Sequence, residues 1–407
     1  NAGVITGNIY GGGNNCGSSG SANITINNGA ISGDIYGGAY QNQVRTESNI
    51  VIKGGSVNNI YGGNELTSQA QQNNDGSRQN TNITIEGANA KVEGTIYGGG
   101  TFEKVATATI NLNSCETVPT VYGGSKGAGI TEEANINLNG MTVSTIYGGT
   151  NGNGTVTTAN INLKSGTVTD VYGGGYGGTT TTSNINLGSS DGGTATVTSI
   201  YGGPNLGGTV GTSNVMLKSG TVTNVFGGGL GTSTTNAKVT QQGANVENIY
   251  GGGYGGTGNG GTTANATVNI DSGKVENVYG GSMNKGITQN AIINIRGTSL
   301  ITNKIYGGGY KTDIGKSDNS GSTTINISGG TINKDLFGGA EGAVVHGITN
   351  INIGVDAVSD NSPVAGNINI RGNIYGGGTS TSVDYSLNSV EGDTHITMTN
   401  STRSPIT

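Results

Sequence analysis

The strongest constraint on this chain is a four-residue phrase that keeps returning. It reads Ile or Val (once Leu), then Tyr or Phe, then Gly-Gly. The aromatic falls at Tyr10, Tyr36, Tyr61, Tyr97, Tyr122, Tyr147, Tyr172, Tyr201, Phe226, Tyr250, Tyr279, Tyr306, Phe337 and Tyr375, 14 times in 407 residues. The commonest spacing is 25 residues, with variants from 24 to 38. A period in this range marks a stacked repeat architecture, in which no unit buries a core alone and neighbours cover one another.

Residues 160–174 show one unit clearly. Asn160-Ile161-Asn162-Leu163 alternates polar and apolar, as a half-buried strand does. Lys164-Ser165-Gly166 reads as a turn, and Thr167-Val168-Thr169-Asp170-Val171-Tyr172 is rich in β-branched residues suited to a pleated surface. The same apolar pairs recur at Ile50 and Ile52, Ile110 and Leu112, and Ile325 and Ile327. Each unit thus supplies about four inward aliphatic side chains, each contributing roughly 1.5–3 kcal/mol when buried. No 3.6-residue apolar period appears, and Gly interrupts every segment, which disfavours helix. The pattern predicts an all-β fold, a single right-handed parallel β-helix (β-solenoid) of about 14 rungs with about 25 residues per rung. Right-handedness follows the crossover preference. Residues 1–378 read as the repeats, and residues 379–407 as a last strand and a C-terminal cap of the same domain. Polar insertions at 64–80, 188–196, 257–263, 311–322 and 355–366 read as loops.

Composition excludes several classes. Gly supplies 81 residues, about three times the usual ~7% share, yet without the Gly-X-Y period of collagen. Only 10% of residues are charged, and the 18 Lys and Arg are scattered, so no basic stripe for nucleic acid is visible. Apolar runs fall far short of the ~20 residues that span a bilayer, so no membrane insertion is expected in this segment. The chain opens at Asn1 without a signal peptide, and reads as a processed or excised segment. No cofactor or metal motif is present. Cys16 and Cys115 lie about four rungs apart, roughly 19 Å at ~4.8 Å per rung, too far for a disulfide. Two free thiols are expected.

Candidate recognition residues lie beside the aromatic column. If Val171 points inward, strict alternation sends Tyr172 outward, and the rings form a ladder on one face. The expected role of that ladder is structural, with rings stacked on one another and over the glycines that make room for them. A sparser second column, Tyr40, Tyr176, Tyr254 and Tyr310, follows four residues later, with Leu230 at the same place in its rung. A residue present in only some rungs is expected at the surface, and exposed Tyr is useful in recognition. These four are the predicted ligand or partner contacts. The Asn columns (Asn135 and Asn137, Asn160 and Asn162, Asn184 and Asn186) are expected to form outward amide ladders. Their mixture with Thr, Met and Lys makes too irregular a surface to favour ice binding. Asp271 and Arg296 fall on consecutive rungs and are expected to pair. His346 and His395 have no acidic partner evident in the sequence, and Asp313, Asp318, Asp356 and Asp360 read as solvated loop carboxylates. No catalytic residue is assigned.

In its architecture and its Gly/Asn/Thr-rich repeats, such as Thr221-Val222-Thr223-Asn224-Val225-Phe226-Gly227-Gly228-Gly229, the chain resembles the parallel β-helix surface proteins of bacteria. These include adhesins, autotransporter passenger regions and related repeat proteins. The resemblance spans residues 8–399. It implies a non-enzymatic, extracellular structural or adhesive segment, with host or microbial glycans or surface proteins as partners. No functional residue carries over. Similar folds also bear polysaccharide lyases and glycoside hydrolases, so a carbohydrate-active enzyme is the alternative.

Overall fold

The computed structural model describes residues 3–14, 20–41, 46–65, 79–255, 261–316, 320–354, 366–380 and 389–399. It is an all-β parallel solenoid of about 12 turns with about 26 residues per turn, without helix among the described residues. The turns are fewer than the 14 phrases partly because the ends are incomplete. The phrase at Tyr10 precedes the first Asn-Ile-type strand, Ala22–Ile26, and Thr394–Met398 has no later strand after it among the described residues. Cys16 and the carboxylates Asp318, Asp356 and Asp360 lie outside the described residues.

The chain divides into two compact units. One comprises Asn1–Val197 with Pro204–Val210, the other Thr198–Gly203 with Gly211–Thr407. In the first, parallel pairing keeps identical positions in register: Ile24, Ile50, Ile83, Ile110, Ile136, Ile161 and Ile185 form one column. In the second, Val239, Val268, Ile293, Ile325, Ile351 and Ile396 do the same. Apart from Ile396 at the open edge, these side chains are buried. A one-residue slip would turn the whole set outward, which fixes the register.

Two expectations change. The predicted turn at Lys164-Ser165-Gly166 lies inside one continuous strand, Thr155–Tyr172. The bend is absorbed as a register shift against Ile130–Tyr147, with Gly166 at φ 107°, a region that disfavours any residue with a Cβ. The aromatic rings are also not an outward face. Val171 and Tyr172 are both buried. Side chains from the segment after the glycines cover the ladder: Tyr40, Tyr254 and Tyr310 pack against its rings, and Lys126, Asn151 and Asn205 bond its hydroxyls.

The glycines make room for something other than the rings. A Cβ on Gly123 would lie 2.6 Å from the Gly148 carbonyl oxygen and 2.8 Å from Ala134 Cβ. Ala134 belongs to a column of small residues, Ala108, Ala134 and Ala159, facing the first glycine of each phrase. Where that column carries Thr, its hydroxyl donates to a glycine carbonyl, as from Thr81 to Gly98 at 2.5 Å and from Thr323 to Gly338 at 2.6 Å.

Candidate functional site

The rings form stacked ladders in each unit. Centroids from Tyr10 to Tyr172 are 4.5–5.3 Å apart, with interplanar angles of 10° or less. From Tyr201 to Tyr375 they are 4.7–5.3 Å apart. Identical strands in register force this geometry, and offset stacking of the rings is favourable.

Four residues past each ring lies a second column, present in every rung. Its backbone hydrogen-bonds to the previous rung, as in Tyr40 N–H to Gly13 O (3.1 Å), Lys126 N–H to Gly100 O (3.0 Å) and Tyr310 N–H to Ser282 O (2.9 Å). In the second unit it becomes a short parallel pairing of Tyr254–Gly255 with Met283–Asn284, continued by bridges through Tyr310, Glu341 and Thr379. The sequence pattern shows this column only at its four tyrosines and Leu230, where it looks sparse. The backbone position is constant and the side chain varies: Tyr40, Glu65, Thr101, Lys126, Asn151, Tyr176 and Asn205 in the first unit, then Leu230, Tyr254, Met283, Tyr310, Glu341 and Thr379 in the second.

The variable side chains reach back to ladder hydroxyls two rungs earlier. Lys126 Nζ donates to the Tyr61 hydroxyl (3.1 Å), Asn151 Nδ2 to Tyr97 (3.3 Å) and Asn205 Nδ2 to Tyr147 (2.9 Å). The Tyr279 hydroxyl donates to Glu341 Oε2 (2.6 Å), Tyr306 shares a hydrogen bond with Thr379 (3.0 Å), and the Tyr10 hydroxyl bonds Glu65. Burial holds these phenols protonated. It pushes Tyr61 up to about 12, and burial together with the Glu341 hydrogen bond pushes Tyr279 well above the usual phenol range. They therefore serve as neutral hydrogen-bonding groups and not as bases at neutral pH.

The second unit holds a polar cluster on this face. Glu341, 13% exposed, accepts from Tyr279 and also from Lys304 Nζ at 3.3 Å. Lys311 Nζ lies 5.1 Å over the Tyr310 ring. Lys311 (φ 53°) and Asn284 (φ 62°) are the non-glycine residues at positive φ among the described residues. They occupy the rung position that Gly231 and Gly342 fill elsewhere.

The four predicted tyrosines do not share one environment. Tyr40, Tyr254 and Tyr310 are half-buried and pack edge-on or tilted against the ring of the preceding rung: Tyr10 at 5.8 Å, Phe226 at 5.6 Å and Tyr279 at 5.9 Å. Tyr176 is 45% exposed and makes no such ring contact among the described residues. Leu206, beside it, is 58% exposed. The structure therefore sets Tyr176 apart from the other three.

Other groups fall elsewhere. A shallow depression of about 190 Å³ in the second unit carries Glu247, Glu276 and Lys274. Lys274 and Glu276 approach to 3.8 Å with both side chains about half exposed, so water screens the pair. Contrary to the sequence reading, His346 does have acidic neighbours: Nδ1 lies 2.8 Å from Glu391 and Nε2 3.5 Å from Asp313. The chain brings them together from successive rungs, which linear spacing concealed. Asp271 and Arg296 pair as expected, at 2.8 Å, with the Arg296 side chain 4% exposed. The Asn ladders form, at 2.9 Å from Asn184 to Asn160 and from Asn160 to Asn135. Each bond commits one donor or acceptor along the column. Cys115 is a free thiol. Sequence reasoning missed Glu103, a fully buried carboxyl held at 2.9 Å by the Asn64 N–H and pushed up to about 7 by burial.

Comparison with known family models, curated proteins and solved structures returns no match. No described helix is long and apolar enough to cross a membrane.

Proposed function

We propose that this chain is a non-enzymatic, extracellular structural and adhesive segment of a bacterial surface protein, with glycans or surface proteins as partners. One observation carries the reading. Ladder, glycines and aliphatic columns repeat with little variation, whereas the column beside the ladder keeps its backbone position and changes its side chain from rung to rung. That is the division of labour of a display scaffold, in which the repeat supplies rigidity and the variable positions supply recognition. Antibody or protease labelling of intact cells that make the protein tests it. The chain is expected to be accessible from outside, and strictly intracellular protein would refute the reading.

The depression holding Glu247, Glu276 and Lys274 supports a second reading, a carbohydrate-active enzyme, because a pair of carboxylates is what acid–base work on a glycosidic bond uses. The half-exposed, screened pair argues for a solvated surface instead. Incubation with neutral and acidic polysaccharides decides it: depolymerisation that Glu276→Gln abolishes would establish the enzyme.

A further inference from the structure

We propose that Tyr176 is the centre of a binding site for neutral, pyranose-containing glycans, built on the variable column of the first unit. The proposal deepens the adhesive reading and rests on it. Lys126, Asn151, Tyr176 and Asn205 occupy consecutive rungs of that column, and parallel strands set them about 4.8 Å apart. The three polar residues are each tied to a ladder hydroxyl, at 3.1, 3.3 and 2.9 Å. Their backbones are tied to the previous rung as well. Tyr176 is the member without a hydrogen bond or ring contact to the ladder among the described residues, although its phenol lies near enough to Tyr122 and Tyr147 to raise their pKa values. The residue is 45% exposed between two anchored amides, and Leu206, 58% exposed, lies in the next rung, where the Gly207 N–H bonds the Tyr176 carbonyl oxygen at 2.9 Å.

The chemistry of this row selects its ligand. An exposed tyrosine offers a flat apolar face with a polar tip, suited to the C–H face of a sugar ring. Asn151 uses one N–H on Tyr97, and its second N–H and carbonyl oxygen have no partner among the described residues. An amide presenting both a donor and an acceptor matches ring hydroxyls, which are also both. The one cation in the row, Lys126, lies two rungs from Tyr176, about 10 Å at ~4.8 Å per rung, and its Nζ is drawn away onto the Tyr61 hydroxyl and over that ring, so this column sets no charge at Tyr176 itself. Because the row is pre-positioned, little ordering entropy opposes binding.

Calorimetric titration of the whole chain with neutral oligosaccharides (glucan, mannan and galactan fragments), acidic ones (uronate oligomers) and a tyrosine-rich peptide library tests the site. Expected is binding of at least one neutral series. Tyr176→Ala should weaken it about tenfold or more, as loss of a central aromatic anchor does. Tyr176→Phe should retain it within about threefold, since the ring face carries the contact. Asn151→Ala should weaken it severalfold and, because it also removes the tie to Tyr97, lower the thermal midpoint, so its binding is read on folded protein, whereas both Tyr176 variants should leave the midpoint unchanged. The proposal is overturned if no neutral glycan binds, if binding survives Tyr176→Ala, or if only acidic glycans or peptides bind. Surface labelling of cells is independent of this titration, so the site can fail while the surface reading stands.

Discussion

Placing one methyl group on Gly123 tests the packing account most sharply. Its φ is not in the left-handed region, so alanine meets no backbone penalty there, and by itself would gain ~0.4–1 kcal/mol from a stiffer unfolded chain. Space is the obstacle. The new Cβ would sit 2.6 Å from the Gly148 oxygen and 2.8 Å from Ala134 Cβ. Both neighbours are backbone or backbone-attached, so neither can rotate away, and the rungs must separate. Overpacking of this kind costs about 1–3 kcal/mol. Loosening the 2.8 Å bond from Gly123 N–H to Tyr147 O adds ~0.5–1.5 kcal/mol. The net expectation is about 2 kcal/mol of local destabilisation, a roughly 30-fold rise in hydrogen exchange for amides near Tyr122 and Tyr147. Gly377→Ala is the internal control, since its Cβ would meet nothing within 4 Å, and its exchange should not rise. Exchange mass spectrometry of both variants decides the matter. Equal protection in Gly123→Ala and Gly377→Ala would refute the claim that rung spacing requires the first glycine.

Three further outcomes are expected. Glu103, raised by burial from its ordinary 4.5 to about 7, contributes stability that is complete below about pH 4.5 and is lost as pH rises through about 7, roughly 3 kcal/mol in all. Urea melts from pH 4 to 8 should show this decline, and Glu103→Gln should flatten it. An unchanged slope would exclude Glu103 as its source. Tyr279→Phe removes the donor to Glu341 and should cost about 1.5–3 kcal/mol, seen as faster exchange near residues 306–341, whereas unaltered exchange would mean that this bond contributes nothing net. For His346, burial lowers the pKa, but the Glu391 hydrogen bond and the charges of Glu391 and Asp313 raise it further, so it ends above 6.5. Its contribution is present below pH 6.5 and lost as pH rises through the folded value. NMR titration should place the imidazole above 6.5 and lower in Glu391→Gln, and a midpoint at or below 6.5 in the parent chain would contradict the acidic clamp.

The stack and its register were legible in the sequence because both are periodic. Ile50, Ile83 and Ile110 recur with their rung, and a parallel stack has to place them over one another. What sequence reasoning missed depends on contacts across rungs of unequal length. Glu65 and Tyr10, or Lys126 and Tyr61, are 55 and 65 residues apart, and no fixed period links such pairs. His346 and Glu391 met for the same reason, 45 residues apart. The variable column reads as sparse in the sequence because its identity changes from rung to rung and only its backbone position is constant. Tyr176 was legible as a candidate, but not its difference from Tyr40, Tyr254 and Tyr310, which lies in its exposure and in the ring contacts the other three make.

The reach of the variable side chains has a consequence for how such a stack comes apart. In a simple solenoid each repeat touches only its neighbours, so stability is a sum of repeat terms and nearest-neighbour terms. Here Asn151 to Tyr97, Asn205 to Tyr147 and Glu341 to Tyr279 skip a repeat. They add a next-nearest-neighbour coupling to the one-dimensional chain. A boundary between folded and unfolded rungs then severs ties across two interfaces at once. Short melted segments inside the stack become costly, and the rungs are expected to open from an end in blocks of more than one.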